Sequence, residues 1–183
     1  DPAGRDCGAS ARLAYSASSL MAVVADIAAT WRAPGAVFDR MIREGQGDDV
    51  VLIHAIIGGV LHFVAAAPAQ ARAAFLEPSV PVEARLFWSA LLFILLLPIL
   101  LWSFAMVVGG LGSLLGAPNL GRRLRLGLFW GFVAASPLAL LMGMTAGFIG
   151  PGTQTSLTAA LWGASVAWFF AKGALSPAWR AAP

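Results

Sequence analysis

The stretch "GLFWGFVAASPLALLMGMTAG", residues 127–147, decides how this chain is read. A small residue recurs at every fourth position: Gly127, Gly131, Ala135, Ala139, Gly143 and Gly147. Leu, Phe, Trp and Met fill most of the space between, and no residue in the stretch is charged. An apolar run of this length suits a helix that crosses a bilayer, which needs about 20 residues. In hydrocarbon, helices are held together by van der Waals contact, and small residues let two backbones approach. A strict four-residue step drifts by about 40°, so six positions sweep about 200° of helix surface. One straight neighbour cannot cover that arc. The spacing therefore predicts that Gly127, Gly131 and Ala135 face one helix and Ala139, Gly143 and Gly147 another, with Pro137 between the two contacts.

The rest of the chain agrees with a membrane setting. Of 183 residues, 59% are hydrophobic and 11% charged, and the mean hydropathy is +0.79. A soluble domain is about a quarter charged, so the polar surface here is too small to cover a globule. Four apolar runs approach spanning length: 50–67, 86–108, 126–149 and 156–174. Helices are the expected form, because a bilayer core leaves bare backbone groups unsatisfied. The expected fold is all-α: a polytopic four-helix transmembrane bundle preceded by short interfacial amphipathic helices. Residues 1–20 read as a flexible leader, or as sequence upstream of a start at Met21. Residues 21–49 hold the amphipathic helices, 50–175 the transmembrane domain, and 176–183 a cytoplasmic tail. The short "GPGTQT" connection makes spans three and four antiparallel neighbours. Span four offers Ser156, Ala160 and Ala164 beside Ala159, Gly163 and Ala167 as the matching small-residue row. Pro98 and Pro137 sit near the middle of their spans and are expected to kink them.

Charge sets orientation. The net charge is +3 and the pI about 10.0, yet the arginines lie between apolar runs and form no basic face, which argues against nucleic acid. With both termini inside, ten basic residues lie inside: Arg5, Arg12, Arg32, Arg40, Arg43, Arg122, Arg123, Arg125, Lys172 and Arg180. Only Arg72 and Arg85 lie outside. That asymmetry is a positive-inside signal and supports an even number of spans. The Arg- and Ala-rich composition suggests a GC-rich bacterial genome, hence a bacterial inner membrane with both termini cytoplasmic.

Two amphipathic segments precede the first span. Val24, Ile27, Ala28 and Trp31 recur at helical spacing. Pro34 then opens "PGAVFDRMIREG", where Val37, Phe38, Met41 and Ile42 share one face and Asp39, Arg40, Arg43 and Glu44 the other. A narrow apolar stripe with Trp and basic neighbours points to a helix lying in the membrane interface. Packing on a soluble partner or on the protein's own cytoplasmic loop is the alternative.

Candidate chemistry is sparse. Within the four runs the only Asp, Glu, Lys or Arg is Lys172, near one end, whereas ion and proton carriers usually keep ionisable groups inside. His54 and His62 are about 12 Å apart along one helix and about 80° apart in direction, so one metal cannot bind both. A haem with one His and another axial ligand stays open as an alternative. The simpler expectation is that each His hydrogen-bonds a neighbouring helix or sits near headgroups. "GGLGSLLGAP" lacks the lysine and strand context of a phosphate loop. Cys7 is the only cysteine and has no catalytic partner set. No enzyme, metal site or cofactor is expected. Trp88, Trp102, Trp130, Trp162 and Trp168 read as interfacial anchors, with contact to a bound lipid or pigment as the alternative for Trp130 and Trp162.

The segment "WRAPGAVFDRMIREG" resembles the Pro-x-x-x-Phe amphipathic approach of the Yip-type (Rab/Ypt-interacting protein) membrane-domain family. "LGRRLRLGLFWGFVAASPLALL" resembles that family's basic loop and Pro-containing span. The resemblance covers roughly residues 21–175. It implies a non-enzymatic membrane scaffold or trafficking-type protein whose partners are membrane lipids and other membrane proteins. The small-residue stripe is expected to pack within the chain, with a homo-oligomer through it as the alternative. Two other readings remain: an accessory subunit of a larger respiratory or photosynthetic complex, and a passive channel or carrier gated at Pro98 and Pro137.

Overall fold

The computed structural model describes residues 21–116 and 119–180. The reading of 1–20 as a leader lies outside these residues, as does the end of the tail. Among the described residues every regular element is helical and there is no strand. In chain order these are α1 (21–32), α2 (Pro34–Arg43), α3 (Asp48–Leu76), α4 (Val82–Ala90), a π-helical segment (Leu91–Leu96) and α5 (Leu97–Leu114). Next come α6 (Leu120–Ala134), α7 (Ser136–Phe148), α8 (Thr153–Ala174) and a 3-10 turn (Pro177–Arg180).

Two helices are long and apolar enough to cross a membrane: α3, with 29 residues, and the continuous Val82–Leu114 helix, with 33. The α6–α7 pair makes a third if its two arms, bent by 50°, are one span. The helix expected over 156–174 forms as α8, but the polar turn Thr153, Gln154, Thr155 and Ser156 and the charge of Lys172 leave it less apolar than those three. Four apolar spans is thus more than length and composition alone support.

Local chemistry sets the helix ends. Pro34 occupies the first turn of α2, Arg40 and Arg43 sit in its last turn, and Gly45 follows with φ of 66°, which suits a residue without Cβ. Asp48 and Asp49 lie in the first turn of α3, where a carboxylate favours the positive end of the helix dipole.

The two proline sites resolve differently. At Pro137 the helix breaks. Leu138 donates its N–H to Ala135 rather than continuing the α pattern to Ala134. The freed Ala134 carbonyl instead accepts the indole N–H of Trp31 from α1 at 2.8 Å. In a membrane a broken helix persists when a neighbour satisfies the released group. At Pro98 the helix continues. The π turns ahead of it carry the register change, with Leu97 N–H donating to the Leu92 carbonyl. A sharp break is therefore confined to Pro137.

Residue pairs fix the topology. Asp48 meets Arg125, Gly58 meets Val133, Ala65 meets Gly143 and Pro68 meets Gly147, so α3 runs beside α6–α7 in the same direction. The α4–α5 helix returns antiparallel, with Phe93 against Gly59 and Gly109 against Gly121. Helix α8 lies antiparallel along α6–α7, with Phe170 against Gly127 and Thr145 bonded to Thr158.

The amphipathic helices part company. The α2 stripe of Val37, Phe38, Met41 and Ile42 is buried in the protein's own core with Leu126, Phe129, Trp130, Phe169 and Trp179. Its expected seat in lipid is corrected: the Phe38 ring closes over Gly173 of α8, where no side chain competes for the space. The α1 stripe stays largely outside, with Val24 65% and Trp31 44% exposed.

Candidate functional site

The small-residue series is used on two sides. Gly127 and Gly131 receive Phe169, Phe170 and the Val166 and Phe170 backbone of α8. Gly143 and Gly147 lie against the Ala65 and Pro68 backbone of α3. A Cβ built at Gly143 would overlap the Ala65 carbonyl oxygen, and one at Gly147 would stand 2.5 Å from the Pro68 ring. Ala135 and Ala139, either side of the break, are fully buried. The matching row on α8 is not where the sequence spacing put it. Ala160 and Ala164 are exposed, and a Cβ at Gly163 would meet open space. Helix α8 presents Trp162, Val166, Phe169 and Phe170 inward instead. Large side chains fill the grooves left by small ones, which buries more contact area than two rows of small residues facing each other.

The inner polar groups are mostly tied. His62 Nδ1 lies 2.8 Å from the Gly58 carbonyl and its Nε2 accepts the Trp162 indole N–H at 3.1 Å. Those partners define the neutral Nδ1–H tautomer, and the ring stacks on Phe132 at 3.6 Å. His54 packs against Trp130 at 4.8 Å, and its buried Nδ1 has no partner among the described residues. Trp130 donates to Thr30 Oγ1 at 3.1 Å, and Thr30 in turn donates to the Asp26 carbonyl at 2.7 Å. Trp130 and Trp162 are therefore internal hydrogen-bond donors. No group of three or more metal-ligating side chains forms among the described residues.

One end of the bundle carries the basic residues. Arg125 pairs with Asp48 at 2.9 Å and 3.1 Å, covers the Trp102 ring at 5.3 Å and reaches Met106 Sδ at 3.1 Å. It joins α6, α3 and α5 at one point. Arg122 donates to the Gln46 carbonyl, and Arg123 lies over the Trp179 ring. Arg40 pairs with Asp26 at 2.6 Å, and that hydrogen bond raises the Arg40 pKa above its ordinary value. Lys172 stands 4.6 Å over the Trp168 ring. At the opposite end Arg72 reaches the Gly147 and Phe148 carbonyls where α7 finishes, beside Gly150 with φ of 99°. Arg85 pairs with Glu77 at 3.1 Å. Sequence reading took these arginines as orientation signals. The groups that Arg72, Arg122 and Arg123 meet, and the acid that Arg125 pairs with, lie more than fifty residues away, whereas Arg40 and Arg85 pair with acids within fourteen residues, at Asp26 and Glu77.

Three surface clefts stand out. One of about 360 Å³ lies at the basic end between α2, α8 and the 3-10 turn, with Asp39, Trp168 and Lys172 in its wall. A groove of about 490 Å³ runs between α1 and the α6–α7 break, lined by Val24, Ile27, Trp31, Pro137 and Leu138. A notch of about 180 Å³ opens between Leu52 of α3 and Pro98, Ile99 and Trp102 of α5.

No family model matches this chain, and no match is found among curated proteins or solved structures.

Proposed function

We propose that the chain is a non-enzymatic membrane scaffold or interaction protein, built as a Yip-type membrane domain, with four segments crossing a bacterial inner membrane and both termini cytoplasmic. The observation that supports this most is the Val82–Leu114 helix. It is long and apolar enough to span, yet only 6% of its apolar window is buried. Phe87, Trp88, Leu96, Leu100, Phe104 and Val107 all point outward. Such a helix offers nearly its whole length to lipid or to another membrane protein, and the Pro98 notch gives that face relief. The ten-to-two placement of basic residues supports the orientation. Because α2 is buried against α8, partner contact is assigned to the α1 surface and to α5 rather than to the Phe38 stripe.

The test is purification of the tagged protein in mild detergent, with mass spectrometry of co-purifying chains and an absorption spectrum. A partner set that is lost when Leu100 and Phe104 on the outer face are both changed to Ala supports the scaffold. Stoichiometric large partners with pigment or haem bands favour the accessory-subunit reading, which the same exposed helix also fits. A colourless, partner-free monomer in native membrane extracts would overturn both.

A further inference from the structure

We infer that the cleft at the basic end of the bundle binds the headgroup of an amine-bearing zwitterionic phospholipid, of the phosphatidylethanolamine class. The inference rests on the membrane reading above. Three features carry it. First, the cleft holds one charge of each sign on separate elements: Asp39 on α2 and Lys172 on α8. Among the described residues neither forms an ion pair. Second, both charges are held in place. Ser176 donates its hydroxyl to Asp39 Oδ1 while accepting the Ala178 N–H, which leaves Oδ2 without a partner among the described residues. The Lys172 ammonium rests over the Trp168 ring. Third, the remaining wall is apolar and outward-facing, with Trp168 56% and Leu175 81% exposed.

On the membrane reading the basic end of the bundle, and the cleft with it, falls at the boundary between hydrocarbon and water. Ala174, two residues beyond Lys172, abuts Gly127, two residues beyond Arg125. Trp and Lys at that depth match the headgroup zone. A lipid phosphate suits Lys172, a protonated amine suits the free oxygen of Asp39, and the start of an acyl chain suits Trp168 and Leu175. Charge complementarity selects among headgroups. A choline headgroup has no N–H to give Asp39, and an anionic glycerol headgroup places no positive charge there.

The experiment reconstitutes the full chain with equal amounts of phosphatidylethanolamine, phosphatidylcholine and phosphatidylglycerol carrying the same acyl chains, and counts retained lipids by native mass spectrometry. Wild-type protein is expected to retain phosphatidylethanolamine over each of the others by roughly three- to fivefold, the size of one exposed charge-assisted contact. Asp39→Asn, which still accepts from Ser176, should erase the preference over phosphatidylcholine. Lys172→Gln, at an exposed site, should lower retention of both phosphate-bearing competitors and of phosphatidylethanolamine together. Arg180→Gln, outside the cleft, should change neither. Equal retention of the three lipids by wild type, a preference over phosphatidylcholine that survives Asp39→Asn, or unchanged retention in Lys172→Gln would overturn the site. Failure of the membrane reading shows separately, as a chain that an alkaline carbonate wash releases from membranes.

Discussion

Helix α3 and the α4–α5 helix look alike by hydropathy, and both are long enough to span. Inside the fold they differ sharply: 39% of the apolar window of α3 is buried, against 6% for Val82–Leu114. The difference lies in residue size and polarity. Helix α3 brings Gly58, Gly59, Ala65 and the two histidines to its neighbours. The α4–α5 helix carries Leu, Ile, Phe and Trp on most of its surface. In water the large apolar residues would go inside. Among helices that already sit in an apolar medium, burial gains nothing from size alone. Small residues that permit backbone contact, and polar side chains that need a partner, determine which helix is central.

The largest effect should come from breaking a backbone contact of α3. In Gly143→Leu the added side chain meets the Ala65 main chain, which cannot rotate aside as a side-chain tip can. The expected loss is about 3 kcal/mol or more, at the upper end of core overpacking, seen as a large fall in detergent melting temperature or as failure to assemble. Leu141→Ala, in the same helix at a 44% exposed position, should cost less than about 0.5 kcal/mol. Equal melting temperatures for the two variants would remove the argument that small residues organise the bundle.

Gly59→Val tests the other side of α3. Its Cβ would approach the Phe93 carbonyl oxygen to 2.5 Å, inside the π-helical segment. The overlap with backbone is less severe there than at Gly143, so the expected loss is about 1–3 kcal/mol, smaller than at Gly143. A smaller step again is Trp162→Phe. It keeps the ring beside Phe132 but leaves His62 Nε2 without its donor. Interhelical hydrogen bonds in membranes average about 0.6 kcal/mol, so a loss near about 1 kcal/mol in the same melting assay is expected. A loss of zero would mean that water or lipid replaces the indole.

These contacts show what the sequence could convey. The positions of the helices were legible because apolar runs, Pro34 and the acidic first turn of α3 act locally. The two-sided use of the small-residue series was also open to arithmetic, since a four-residue step on a 3.6-residue helix must drift. The partner of each side was not. The short connection at "GPGTQT" makes α8 a neighbour without saying which half of the series it meets; the break at Pro137 leaves Gly127 and Gly131 to α8 and turns Gly143 and Gly147 toward α3, and a 50° bend has no signature in composition. The row Ala160, Gly163 and Ala164 failed as a partner because spacing alone ignores that Phe169 and Phe170 fill a groove better than alanine does. The apolar face of α2 was visible, and its destination was not. Whether Phe38 meets lipid or Gly173 depends on residues more than a hundred positions away. The cleft between Asp39 and Lys172 escaped for the same reason, with its charges on the first and last thirds of the chain.

The smallest expected effect tests the outer helix. Leu100→Ala removes much of a side chain that is 55% exposed on α5. If that face meets lipid, the change exchanges one apolar surface for another, opens no cavity and keeps a residue of high helix propensity. The melting temperature of the isolated protein should then shift by less than the equivalent of about 0.5 kcal/mol. The same variant in a partner-containing preparation is more informative. A partner helix seated on Leu100 would lose packed contacts as a core does, and the dissociation temperature of the complex would fall while that of the free chain stayed put. A large loss in the isolated chain would place a second copy of the protein against this face. It would also end the comparison with α3, because both helices would then be interior to an assembly and the 6% burial would describe only a part of it.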